Sequence, residues 1–220
     1  ADVATEENIY LHVDAAWAGS AMICPEFRNL WSGIEKADSI VFNPHKWLGA
    51  QFDCSVQFLR DASMQKNTLS ISPEYLKTKG VTGITNLSDY TIQLGRRFRA
   101  LKLWFLLRAE GLSGLRKVIR NHIKWSTGLH DSIKELKNVE ILTRPILGLF
   151  TFRFLSEKTT KINELNEKIL QEINDEGTIY LTPTKVKDSY VIRFTAGTFE
   201  LKEEDVHLAY KCIKERSEKL

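Results

Sequence analysis

Apolar positions along this chain follow two rhythms. The first third carries short apolar runs. Residues 9–15 read as a buried strand ending on the polar Asp14, and residues 39–42 and 54–59 are two further runs. The segment between them, with 25–33 as a partly helical connection, makes this the pattern of an α/β sheet. Residues 61–89 show little periodicity. With Gly80 and Gly83 as hinges, they read as a long loop of the kind that closes over a site. From Leu94 the period becomes helical: Leu94, Phe98, Leu101 and Phe105 share a face, with Arg96, Arg97, Arg99 and Lys102 between them. Gly111 is the expected helix stop. A second helix is predicted over 115–136, its apolar side formed by Leu115, Val118, Ile119, His122, Leu129, Ile133 and Leu136. Strands then follow at 139–142, 148–155, 178–181 and 189–195, with helices at 161–176 and 203–218, which makes a small α+β domain. Phe150, Phe152 and Phe154 alternate with Thr151 and Arg153, as in a half-buried strand. Glu203, Glu204 and Asp205 suit the positive end of the last helix.

Composition narrows the function classes. A net charge of +3 over 220 residues is too weak to hold nucleic acid or an anionic membrane surface. No apolar run approaches the roughly 20 residues of a membrane span. Cys24, Cys54 and Cys212 are an odd, scattered set. They form neither a disulfide framework nor a metal site, so reduced thiols in a cytoplasmic protein are expected. The chain begins without Met and almost at once enters a sheet strand. The expectation is that a preceding segment supplies the rest of that sheet.

Two segments carry chemistry: His12-Val13-Asp14-Ala15-Ala16-Trp17-Ala18-Gly19 and Asn43-Pro44-His45-Lys46-Trp47. Lys46 follows Asp14 by 32 residues. A pyridoxal cofactor needs a lysine for its aldehyde and a carboxylate beside its pyridine nitrogen, so that the ring stays protonated and accepts electrons. An Asp at one strand end and a Lys just past the next meet that need. Read alone, Lys46 is a solvated surface lysine and Asp14 a turn or cap residue. A carboxylate buried in an apolar strand, however, requires a cationic partner. His45 alone reads equally as a satisfied core histidine, Trp104 and Phe105 as core, and Cys54 as a small buried hydrophobe. The Arg96, Arg97, Arg99 run alone is a solvated helix face.

The stretch from His12 to Ser55 closely resembles the group II pyridoxal-dependent decarboxylases, and within them the aromatic L-amino-acid decarboxylases. The likeness continues through Ser72-Pro73-Glu74-Tyr75-Leu76 and from Leu94 to Lys102, and weakly to Val191-Ile192-Arg193-Phe194. The resemblance implies an α/β PLP-dependent transferase fold of type I, like aspartate aminotransferase. Residues 1–105 would be the end of the large cofactor domain and 106–220 the small α+β C-terminal domain. It implies pyridoxal 5'-phosphate (PLP) as cofactor, an aromatic amino acid as substrate, and a homodimer. Lys46 would bond the cofactor, Asp14 would pair with the pyridine nitrogen, and Ala16 would pack on the ring. Asn43 and His45 would lie near the phosphate. Tyr75 would return a proton after CO2 leaves. Trp47 and Phe52 would line the aromatic pocket, and Gly95 would lie close to the substrate ring from the partner subunit. Plant members pair Gly at that position with indole substrates and Ser with phenols, whereas animal members carry Gly and accept both. The family's ring-stacking histidine and several phosphate ligands lie upstream of Asp14. The chain alone therefore supplies part of a site, and an inactive fragment is one reading. An aldehyde synthase on the same scaffold is another, although retention of Tyr75 favours decarboxylation.

Overall fold

A parallel strand pair organises the N-terminal part of the chain. After a short helix α1 (Asp2–Glu6), β1 (His12–Asp14) runs parallel to β2 (Ser39–Phe42), with His12 opposite Ser39 and Asp14 opposite Val41. β3 (Val56–Leu59) pairs antiparallel with β2 and sets Phe42 opposite Val56. Between β1 and β2 the chain makes 3-10 turns at Ala18–Ile23, Pro25–Trp31 and Ile34–Lys36. They bury Ala21, Cys24 and Ser20. The computed structural model describes residues 1–71 and 85–220. They divide into two compact units, 1–45 with 50–109 and 46–49 with 110–220.

Several expectations for the first unit need correction. The strand predicted from residue 9 shortens to β1, and Ile9 and Tyr10 are exposed. β1 is an edge strand of the order β1-β2-β3, so no strand pairs with its outer side among the described residues. The predicted loop contains a helix, α2 (Ala62–Leu69), capped by Asp61 accepting from the Ser63 N–H at 2.8 Å. α2 buries no residue, so it has no apolar stripe to reveal it; only the cap is visible. The helix expected from Leu94 begins instead at Ala100. Ahead of it, Arg99 donates to Asp53 Oδ2 at 3.0 Å and its carbonyl faces Cys54 Sγ at 3.9 Å, contacts that overrule the periodicity of Leu94 and Phe98. Arg99 is therefore part of an ion pair rather than of a solvated face. Trp104 and Phe105 are exposed rather than core.

α3 (Ala100–Lys134) is two helices joined at Gly111, where φ is 63° and ψ 171°. The predicted stop is thus a break with an immediate restart, at a conformation glycine adopts without strain. In the second unit β4 (Val139–Ile146), β5 (Leu149–Phe154), β6 (Thr182–Val186) and β7 (Ser189–Thr195) form an antiparallel sheet of order β4-β5-β7-β6. α4 (Ile162–Asp175) and α5 (Glu203–Glu218) complete it. β7 and α5 match their predicted spans. The strand expected over 178–181 lies later, at β6, and includes Pro183. Pro145 sits in β4. Both strands are edges, where a missing N–H is tolerated. Leu181 is instead held outside the sheet by Asn174, which accepts from its N–H at 2.9 Å and donates to its carbonyl at 3.0 Å.

The core of this unit is built on Phe150, Phe152 and Phe154, packed with Ile133, Ile173, Ile192 and Ile213. The opposite face of β5 is polar but not solvated: Thr151 is buried and bonds Thr143, while Arg153 pairs with Glu140 at 2.5 Å. Asn166 on α4 closes the end of β5. Its Oδ1 accepts from Phe154 N at 2.7 Å, and its Nδ2 donates to Phe154 O at 2.8 Å and Ile162 O at 2.9 Å. Asn166 and Phe154 are both fully buried. Asn166→Ala is expected to lower unfolding free energy by about 2–4 kcal/mol, because it orphans a buried donor and acceptor together. Denaturant titration measures this; a loss below about 1 kcal/mol would show that the strand end finds other partners.

Candidate active site

Parallel pairing brings the carboxyl ends of β1 and β2 to one edge of the first unit, which is where open α/β sheets bind ligands. The ladder runs on past both strands: Ala15 N donates to Val41 O and Asn43 N to Ala16 O, each at 2.9 Å. The turn after Asp14 is thereby stitched to the turn before His45. Asp14 Oδ1 accepts from Ala16 N at 3.0 Å, a side-chain turn that leaves Oδ2 for a cationic partner. Asp14 is exposed rather than buried as its apolar surroundings suggest, since it ends an edge strand. Ala16 next to it is partly buried. Gly19 is required by close packing. A methyl group there would lie 2.7 Å from Phe42 Cβ and 3.1 Å from Ala15 Cβ, so the 3-10 turn could not lie against β2.

The antiparallel return of β3 supplies the partners of the second turn. Because Phe42 pairs with Val56, the register carries Ser55 opposite Asn43, and Ser55 Oγ donates to Asn43 Oδ1 at 2.6 Å. The Asn43 amide nitrogen is left as a donor. His45 Nδ1 lies 3.0 Å from Cys54 N and 2.7 Å from Cys54 O. It accepts from the first when unprotonated and donates to the second when protonated. In either tautomer Nδ1 is held by the Cys54 backbone, and Nε2 is the nitrogen open to a ligand. Phe52 meets the His45 ring edge-on at 4.8 Å and is otherwise exposed. The neighbouring Asp53 carboxyl is held below its usual range by the bond from Arg99.

Lys46, next in the chain, is exposed, and with it begins the segment 46–49 that groups with the second unit. Trp47 is fully buried there, and its indole N–H donates to His122 Nδ1 at 2.9 Å. Burial pushes the His122 imidazole down from 6.5 to about 4, so the ring is neutral and Nδ1 is an acceptor. Sequence reasoning counted His122 only as part of an apolar helix stripe. The signal it passed over is that a polar ring on such a stripe needs a buried partner. Gly95 is exposed, and a methyl group on it would meet nothing within 4 Å among the described residues. Tyr75 lies outside the described residues.

The structure thus brings Asp14, Ala16, Asn43 and His45 together at one sheet edge, with Phe52 against His45. A free carboxylate oxygen, a small methyl group, and amide and imidazole donors form a set that suits a phosphorylated nitrogen heterocycle. A cleft of about 480 Å3 on the same unit, lined by Tyr10, Asp38, Gln57, Arg60, Met64 and Gln65 among others, includes none of these residues.

The family model described as the pyridoxal-dependent decarboxylase conserved domain matches residues 1–155. Over 215 residues the chain is 40% identical to the aromatic-L-amino-acid decarboxylase of Rattus norvegicus, covering 97% of this chain and 44% of that protein. Its fold matches the crystal structure of Oryza sativa TDC with PLP and tryptamine at a TM-score of 0.93 and 34% identity, over 99% of this chain and 46% of that one. It also matches Rhodiola rosea 4-hydroxyphenylacetaldehyde synthase at a TM-score of 0.88 and 30% identity, over 100% of this chain and 45% of that one. The α/β fold is the one shared by these proteins, and the chain spans about half their length.

Two outcomes follow from this geometry. Because His122 titrates near 4 when folded and near 6.5 when unfolded, the unfolded chain takes up the proton first as pH falls. The stability it contributes is full above pH 6.5 and declines between 6.5 and 4, by up to about 3 kcal/mol. Urea unfolding of wild type and His122→Phe across that window measures it; equal slopes would contradict the assignment. Gly19→Ala should lower stability by about 1–3 kcal/mol through overpacking against β2. Unchanged melting would show that the turn can move away.

Proposed function

The chain belongs to the pyridoxal-dependent decarboxylase family, and from that membership we propose that it serves PLP-dependent decarboxylation of an aromatic L-amino acid to the amine and CO2. The observation that carries this reading is the parallel β1–β2 edge. There Asp14 and the Asn43–His45 turn are joined by the Ala16–Asn43 bond, and Lys46 comes next in the chain. Similarity to the rat decarboxylase and to the rice structure with PLP and tryptamine supports the choice of cofactor and of aromatic substrate.

Bound PLP supplies an electron sink for the bond to the leaving carboxylate. The chain's own residues hold and tune it. Asp14 Oδ2 keeps a proton on the pyridine nitrogen through a charge-assisted bond, worth about 1.5–3 kcal/mol. Ala16 offers a flat apolar contact beside it. The Asn43 amide and His45 Nε2 donate toward the phosphate. Lys46 Nζ would hold the cofactor through its aldehyde and, in its neutral form, would be the nucleophile; it would also carry protons as substrate enters and amine departs. Tyr75 returns a proton to the substrate carbon. Phe52 and Trp47 would line the aromatic pocket, and Gly95 would lie close to the substrate ring from the partner subunit. Residues 1–105 belong to the cofactor domain and 106–220 to the small domain. A homodimer, with a segment preceding Asp14, completes the site in the cytoplasm.

A second reading is favoured by one observation, the likeness to the Rhodiola rosea aldehyde synthase. The same scaffold would then consume dioxygen and water and release aldehyde, CO2, ammonia and peroxide. A product assay on the full-length protein with PLP and tryptophan, dopa, tyrosine or glutamate separates the two. Amine and CO2 from an aromatic substrate, lost in Lys46→Ala, are expected. Aldehyde with peroxide moves the reading to the synthase, and absence of turnover with every substrate removes the enzymatic proposal.

A further inference from the structure

We infer that His122 is a positioning residue for Lys46, acting through its hydrogen bond to Trp47 to fix the main chain that carries the lysine. The inference rests on the reading that Lys46 bonds the cofactor, and it adds a residue 76 positions downstream of that lysine.

The indole N–H can only donate, and that of Trp47 is sealed from water, so it requires a protein acceptor. His122 Nδ1 provides one at 2.9 Å. His122 is itself 1% exposed, on the face of α3 that also buries Leu115, Ile119, Leu129 and Ile133. Its acceptor role demands the neutral ring with the proton on Nε2, and burial holds it in that charge state throughout the physiological range. The bond therefore ties the residue after Lys46 to a long, well-packed helix.

The residues beyond Trp47 are gripped in the same unit. Leu48 is buried. Gly49 has φ +77°, and a methyl group there would lie 2.3 Å from Phe199 Cγ, so its backbone lies directly against that ring. Residues 46–49 form a strap that belongs to the second unit. Within the strap Lys46 alone is exposed. Its backbone is held on one side by this anchor while its side chain remains free to react. An anchored main chain with a mobile tip is what a residue must have if it bonds a cofactor in one step and releases it in the next.

The test uses the full-length holoprotein with His122→Phe, His122→Asn and Trp47→Phe. Phe keeps the ring shape without the acceptor. Asn places its Oδ1 the same number of bonds from the backbone as Nδ1. Wild type must first show PLP on Lys46, by borohydride reduction and peptide mass spectrometry; if it does not, the function reading falls and this inference with it. With that met, His122→Phe should lower kcat about tenfold while KM changes less than about twofold, because misplacing a reacting group costs rate more than binding. It should also shift the pH midpoint of the visible band of the lysine-bound cofactor and reduce the fraction of Lys46 trapped. His122→Asn should restore most of each. Trp47→Phe should reproduce the loss, and adding His122→Phe to it should bring little more. If His122→Phe does not fold, Trp47→Phe against His122→Asn carries the same comparison. The inference is overturned if His122→Phe lowers only the melting temperature, with kcat and the cofactor band unchanged. It is equally overturned if Asn and Phe are equally damaging, since shape rather than the acceptor would then be what matters.

Discussion

The parallel pairing of β1 with β2 is the constraint on which the rest of the first unit depends. Antiparallel strands would send Asp14 and Asn43 to opposite ends of the sheet, whereas parallel ones deliver both to one edge. The return of β3 then settles how the polar groups there are used. Its register puts Ser55 and Cys54 beside Asn43 and His45, and each takes one hydrogen-bonding group out of play. Among the described residues, these bonds leave over one carboxylate oxygen of Asp14, the amide nitrogen of Asn43 and Nε2 of His45. A backbone arrangement thus selects a donor set, and the neighbouring 3-10 turn fits only because Gly19 has no side chain.

How much of this was legible in the sequence depends on what kind of force holds each part. β2 and β7 were readable as short apolar runs and α5 as a helix with an acidic first turn, because these signals lie in neighbouring residues. Asp14 and residues 43–46 could be nominated as candidates because they stand in short contiguous motifs, and the β1–β2 pairing sets Asp14 and the turn that begins at Asn43 at one edge. α2 was missed because it buries nothing, so no stripe exists to find. The segment around Leu94 and Phe98 misled for the converse reason. It has a helical period, but the Asp53–Arg99 pair and the Cys54 contact hold its end in another path. β6 was displaced because Pro183 argues against a strand unless the strand is known to be an edge, and edge status is a tertiary property.

The motif also concealed a division. Asn43 to Trp47 reads as one continuous unit of chemistry, yet contact separates it after His45. Periodicity cannot report this, because the partners that claim Trp47 and Gly49 are His122 and Phe199, far away in the chain. The aromatic character of Trp47 suggested a pocket wall. Its indole N–H, which must be satisfied wherever the ring is buried, finds its acceptor on His122.

The second unit shows the same logic twice. Asn166 serves the end of β5, where the ladder has no further strand to bond, and His122 serves Trp47, where the chain is in no ladder at all. In each case a buried polar side chain on a helix substitutes for a missing partner. An apolar replacement would fill the volume and still leave the opposing group stranded in a medium that cannot solvate it. For Asn166 the stranded groups would be backbone, so the cost falls on the stability of the unit. For His122 the stranded group belongs to the residue next to Lys46. On the proposal that Lys46 bonds the cofactor, the same cost would fall on the placement of its amine, and a core histidine would serve the chemistry without touching the reacting atoms.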